Sequence, residues 1–191
     1  MLTVNGVISG AFALGKNEQG VLRLNGANTY TGGTTVTNGY VVAGHDAAFG
    51  NSATPVQFRG TLFSQILASG VRSISRAFEN TSTGSTQTLG GIDAGAKTFS
   101  GALTLTRGIN VTAAVGGDVT FSGAIGGAGG LNKVGAGKVV LAPSAGNAFT
   151  GAVSIAEGEL VGRSVASGSA FGTNTTFTVS DGTLRLLNAT G

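Results

Sequence analysis

The sequence predicts an all-β chain wound as a parallel β-helix, a solenoid with roughly 20–22 residues per coil. Three observations point there. Glycine accounts for 35 of 191 residues against only 2 prolines, and each Gly inside a helix costs about 1 kcal/mol relative to Ala. The longest glycine-free run is "VRSISRAFENTST", residues 71–83, so almost every helical window is interrupted. The motif SGA followed by a large apolar residue recurs in "ISGAF", "FSGAL" and "FSGAI", and Phe99 and Phe121 open two copies that lie 22 residues apart.

The third observation is a longer self-similarity. Residues 20–42, "GVLRLNGANTYTGGTTVTNGYVV", align with residues 137–161, "GKVVLAPSAGNAFTGAVSIAEGELV", the second copy carrying two extra residues near Pro143. Both run on to "AFG". Leu22 and Leu24 match Val139 and Leu141, Arg23 matches Val140, Val36 matches Ile155 and Val41 matches Leu160. Apolar residues recur with period 2 inside each short segment, which is the signature of a strand with one face buried. Tyr40 matches Glu159, which places Tyr40 on the outside.

In order along the chain, residues 7–64 form a first repeat region, 65–120 intervening coils and 121–187 a second repeat region of one continuous β-helix. Within the first, "TNGY" at 37–40 could close a hairpin of a β-sandwich. The second copy replaces Asn38-Gly39 with Glu157-Gly158, a poor hairpin turn but an adequate coil corner, which favours the solenoid. Residues 61–80 are the least regular. Leu62, Ile66, Ile74 and Phe78 fall at helical spacing, yet Gly70 interrupts them, and the segment is read as strand.

Composition removes several function classes. Leu, Ile, Val and Phe make up 50 of 191 residues, enough for an ordered core. Cysteine is absent, which removes disulfides, thiolate metal sites and Cys nucleophiles. The formal charge is +3, with no basic cluster interleaved with aromatics as nucleic acid requires. No apolar run approaches a membrane helix and the first residues lack a signal-peptide pattern. Met1 leading directly into a strand pattern reads as the start of a fragment excised from something longer.

The motifs "GANTYTGGTTVTNGYVVAG" with "AAFGN", and "KVGAGKVVLAPSAGNAFTGAVSIAEGELVG" with "SAFGTN", resemble the autotransporter-associated β-strand repeat in passenger domains of bacterial autotransporter (type V secretion) proteins. "FSGAIGGAGGLNKVGAGKVVL" is similar to the lead-in before that repeat. The resemblance implies a right-handed β-helix stalk, exported across the outer membrane of a Gram-negative bacterium and displayed or released there. It implies a scaffold that supports secretion-coupled folding and adhesion or autoaggregation. Implied partners are a host or cell-surface glycan or protein, or further copies meeting at the solenoid ends, with no membrane insertion by this segment. The second copy departs from the first in having Ala152 for Gly33, and no long alternating strands of a membrane barrel are present.

Residues that could carry chemistry are few, and no catalytic, cofactor-binding or metal site is assigned. His45 beside Asp46 could form a base with its orienting carboxylate, but neighbours in an extended chain point to opposite faces. Glu157 and Glu159 are the one acidic pair spaced to share a face, and they lack a basic partner nearby in sequence. "GGIDAGAK" at 90–97 is a single copy of a calcium-roll-like string, and "GGAGGLNKVGAG" at 126–137 lacks the Lys-Ser/Thr ending and helix of a phosphate loop. A polysaccharide-binding or polysaccharide-cleaving β-helix, and a self-assembling filament, remain as alternative readings.

Overall fold

A computed structural model of the chain describes residues 1–84, 86–165, 168–173 and 176–188. Among these, 22 strands form and no helix. In chain order they are β1 (Leu2–Val4), β2 (Leu14–Lys16), β3 (Val21–Leu24), β4 (Thr34–Val36), β5 (Gly39–Ala43), β6 (Val56–Phe58), β7 (Ser64–Ala68), β8 (Arg72–Ile74), β9 (Phe78–Asn80), β10 (Gln87–Gly91), β11 (Gly95–Phe99) and β12 (Leu103–Leu105). They continue as β13 (Ile109–Thr112), β14 (Gly117–Phe121), β15 (Ile125–Gly127), β16 (Leu131–Val134), β17 (Lys138–Leu141), β18 (Ala148–Phe149), β19 (Val153–Ile155), β20 (Gly158–Arg163), β21 (Phe177–Val179) and β22 (Gly182–Leu187).

These strands make three parallel sheets. Sheet I has nine strands in the order β1-β3-β5-β7-β10-β13-β16-β19-β21, sheet II six as β22-β20-β17-β14-β11-β8, and sheet III seven as β18-β15-β12-β9-β6-β4-β2. From β7 to β20 the chain visits I, II and III in turn, so the neighbour of each strand is the strand one coil away. The chain is therefore a parallel β-solenoid, as the repeats predict. Before β8 the strands alternate between sheets III and I, and segments such as 25–33 and 44–55 occupy the place that sheet II takes later.

The predicted 22-residue step is present in the middle of the stack, where Gln87 pairs with Ile109 and Ile109 with Leu131. Phe99 pairs with Phe121 in the same register, and their rings stack at 5.2 Å. The step is not uniform: Val21 pairs with Tyr40 and Tyr40 with Gln65, because the segment 44–55 lengthens that coil. The corner at 37–40 is no hairpin. β4 belongs to sheet III and β5 to sheet I, and each pairs with other coils in parallel. Residues 61–80 form β7, β8 and β9, so helical spacing there was coincidental; Ile66, Ile74 and Phe78 are buried while Leu62 is exposed.

One apolar core runs the length of the stack. Val36 and Val41 have no solvent exposure, whereas Tyr40 is 36 % exposed, which is the inside and outside that period 2 assigned. Phe49, Phe78, Phe99 and Phe121 form a continuous run of ring contacts at 5.2–5.7 Å and tie successive coils through the centre.

Candidate functional site

The sequence candidates do not converge. His45 lies in the segment after β5, where its Nδ1 accepts the Ala47 N–H at 3.0 Å. Asp46 instead accepts the Ser73 N–H through Oδ1 at 3.0 Å, so each serves a different backbone group. Glu159 reaches Arg185 at 3.8 Å across adjacent strands of sheet II. Among the described residues, no group of three or more His, Asp or Glu could hold a metal ion. Asp93 of "GGIDAGAK" accepts from Ser69 Oγ at 2.7 Å and from the Gly70 N–H at 2.9 Å, and pairs with Lys97 at 2.7 Å. Burial raises its carboxyl, but the hydrogen bonds from Lys97, Ser69 and Gly70 and the Lys97 charge outweigh that and bring its pKa down to about 2.

What the structure does assemble is a set of lysines folded into the coil corners. Lys133 is fully buried, and its Nζ donates to the carbonyls of Val134 at 3.0 Å, Gly135 at 2.5 Å and Glu157 at 2.9 Å. The first two carbonyls belong to its own turn and the third to the next coil. A buried carbonyl left without a donor is costly. The ammonium group, with three donors, satisfies all three at once. Burial pulls the Lys133 pKa down to about 8, against the opposing attraction of the Glu157 carboxylate.

Lys16 does the same in the first repeat. Its Nζ donates to Glu18 O in its own turn and to Asn38 O of the next coil at 3.1 Å. The next residue in each corner, Gly39 or Gly158, has φ of +78° or +71°. A Cβ on Gly39 would lie 2.6–2.7 Å from Glu18 O, Gly20 O and Lys16 Nζ; on Gly158 it would lie 2.5–2.7 Å from Gly135 O, Gly137 O and Lys133 Nζ. Glycine is required at this position for two reasons, the left-handed backbone and the lysine packed against it. Lys97 caps another corner, donating to the carbonyls of Asp93, Ala94 and Gly95.

A second device is duplicated too. Asn28 accepts the Ile8 N–H of the preceding coil at 2.9 Å and donates to Ala48 O of the following coil at 2.7 Å. Asn147 accepts the Ile125 N–H at 2.7 Å and donates to Ala170 O at 2.6 Å. Each amide joins three coils through one side chain. Tyr30 and Phe149, two residues further on, are both fully buried.

The sequence reading passed over these residues. Carrying the pairing of 20–42 with 137–161 four residues upstream sets Lys16 on Lys133, and the two-residue insertion sets Asn28 on Asn147 and Asn38 on Glu157; that was the available signal. The copies also differ in orientation. β2, β3, β4 and β5 lie in sheets III, I, III and I, whereas their counterparts β16, β17, β19 and β20 lie in I, II, I and II. The second repeat is thus set one face further around the axis, and its outer decoration faces another side.

Comparison with known proteins meets this geometry at the same residues. A family model described as passenger-associated-transport-repeat matches two segments of the chain, residues 14–43 and 131–161. Lys16, Asn28, Asn38 and Gly39 fall in the first matched segment and Lys133, Asn147, Glu157 and Gly158 in the second. The chain is also 38 % identical over 58 residues to the adhesin BmaC autotransporter of Brucella suis biovar 1 (strain 1330), an alignment covering 30 % of this chain and 2 % of that relative. The match thus reaches only a small part of that relative. No solved structure matches the chain.

Proposed function

We propose that this chain, with its two passenger-associated-transport-repeats, is a non-enzymatic stalk segment of a secreted or outer-membrane-displayed passenger of a Gram-negative bacterium. In it the repeats fasten consecutive coils together. The observation that carries the reading is the duplicated corner, Lys16 to Asn38 O and Lys133 to Glu157 O, inside the two matched segments. A chain that emerges from a membrane progressively must fold coil upon coil, and each coil of a solenoid gains stability chiefly from its neighbour. A side chain from one coil that needs the carbonyl of the next makes that docking specific.

Adhesion is the stalk's service to the cell: it holds a binding surface away from the membrane, as the likeness to an adhesin autotransporter supports. Among the described residues no helix is long and apolar enough to cross a membrane. The test has two arms. Solution scattering from the purified chain should give a rod whose axis lengthens by about 4.8 Å per coil, and incubation with surface polysaccharides should release no new reducing ends. A compact particle, or release of sugar, would overturn the stalk reading.

A further inference from the structure

The exterior of sheet I carries a groove of about 440 Å³ that crosses four successive coils. Its floor includes residues without side chains: Gly108 and Gly130 lie at the same corner of consecutive coils, just before β13 and β16. One wall is the outward ladder Asn110, Asn132 and Ser154, which are register partners in β13, β16 and β19. Asn132 donates to Asn110 Oδ1 at 2.9 Å and accepts from Ser154 Oγ at 2.7 Å. Arg107 also lines the groove and is the sole charged residue to do so among the described residues.

We propose that this groove binds an extended, anionic, hydroxyl-rich polysaccharide lying along the solenoid axis. The inference goes beyond the stalk reading and does not rest on it. An asparagine amide has two N–H donors and an acceptor oxygen. In the ladder Asn132 commits one donor and Asn110 none, so three amide N–H donors remain without a protein partner among the described residues. They repeat at the coil spacing of about 4.8 Å, close to the advance of one sugar in an extended chain, so successive hydroxyls meet successive coils. Arg107 donates to Thr83 O at 3.2 Å, which leaves most of its five donors for a carboxylate or sulfate, and among the described residues no acidic side chain lines the groove to compete.

The same lining disfavours other occupants. Among the described residues no aromatic ring lies in it, and single-stranded nucleic acid depends on ring stacking together with several cations. An extended peptide adds to an open strand edge, whereas β13 and β16 are already paired on both sides.

The experiment titrates the full chain with α-1,4-linked hexagalacturonate and with neutral maltohexaose, following backbone amide resonances and heat. Saturable shifts are expected at residues 107–110 and 130–132 with the anionic sugar, and affinity at least about tenfold weaker for the neutral one, since charge-assisted hydrogen bonds are the stronger kind. Arg107→Gln should weaken hexagalacturonate binding by about tenfold and Arg107→Lys by less, because lysine keeps the charge but loses the fork. Asn132→Ala should weaken it several-fold, while Lys138→Gln, on the outside of sheet II, should leave it unchanged. Unaltered melting of these exposed-site variants confirms that folding is intact. Absence of saturable shifts, equal affinity for maltohexaose, equal affinity for a poly-glutamate peptide, or an equal loss in Lys138→Gln would each overturn the proposal.

Discussion

Lys16 and Lys133, in separate repeats and on different faces of the solenoid, each carry their ammonium group to a carbonyl of their own turn and to a carbonyl one coil onward, Asn38 O and Glu157 O respectively. Their shared geometry makes the corner testable on its own, apart from the apolar core beneath it.

Lys133→Met keeps the length and apolar stem of the side chain but removes the donor from three carbonyls. Leaving a buried acceptor unsatisfied costs about 1–3 kcal/mol, so the unfolding free energy should fall by that much, read as a lower denaturant midpoint at unchanged slope. Lys138→Met removes an exposed pair with Asp118 and should change stability by less than about 1 kcal/mol. Equal losses would show that the corner bonds contribute nothing specific.

Stability should depend on pH through the same lysine. Its folded pKa of about 8 lies below the ordinary value of 10.5, so between these values the unfolded chain binds more protons than the folded one. The Lys133 contribution to stability therefore rises as pH climbs from about 8 to 10.5. The difference in melting temperature between the native chain and Lys133→Met, measured across that window, should widen with pH. A flat difference would contradict it.

Acid reports on Asp93. Its folded pKa of about 2 lies below the ordinary 3.8, so its stabilising contribution is fully present above pH 3.8 and fades as pH falls through about 2. Asp93→Asn should melt earlier than the native chain at neutral pH, and the gap should narrow as pH falls below 3.8 and close below about 2. The carboxylate is 42 % exposed, so the gap should also shrink in salt.

Inside and outside can be exchanged selectively. Val36→Asp places a carboxylate where there is no solvent exposure and no partner, and should cost several kcal/mol. Tyr40→Glu copies the residue at the matching corner of the second repeat; it gives up the edge contact with Phe63 at 5.8 Å and should cost less than about 1.5 kcal/mol. Denaturant midpoints in the opposite order would refute the assignment.

Coil length sets the final test. Deleting residues 99–120 joins Thr98 to Phe121, and because Phe99 and Phe121 are register partners, one whole coil is lost with every remaining strand on its own face. That protein should stay soluble and unfold cooperatively, shorter by about 4.8 Å. Deleting residues 99–109 alone sets strands of one sheet against another and should melt much earlier or aggregate. Equal damage from both would mean that the coil is not the unit of folding.

The sequence alone determined the strands, the parallel winding and the inner row, because these follow from local rules: period-2 alternation marks Val36 and Val41 as inward, glycine at 39 and 158 marks a corner, and the 22-residue recurrence of Phe99 at Phe121 marks a coil. The tertiary structure alone decided that Lys16, Lys97 and Lys133 turn into the corners and that the two repeats occupy different faces. It also brought Arg107 and Asn110 into one groove with Asn132 of the next coil. A lysine reads as solvated surface until the carbonyls around it are known. Those carbonyls come partly from the next coil, and their approach depends on the variable coil lengths, such as the longer step from Tyr40 to Gln65, that shift one repeat around the axis relative to the other.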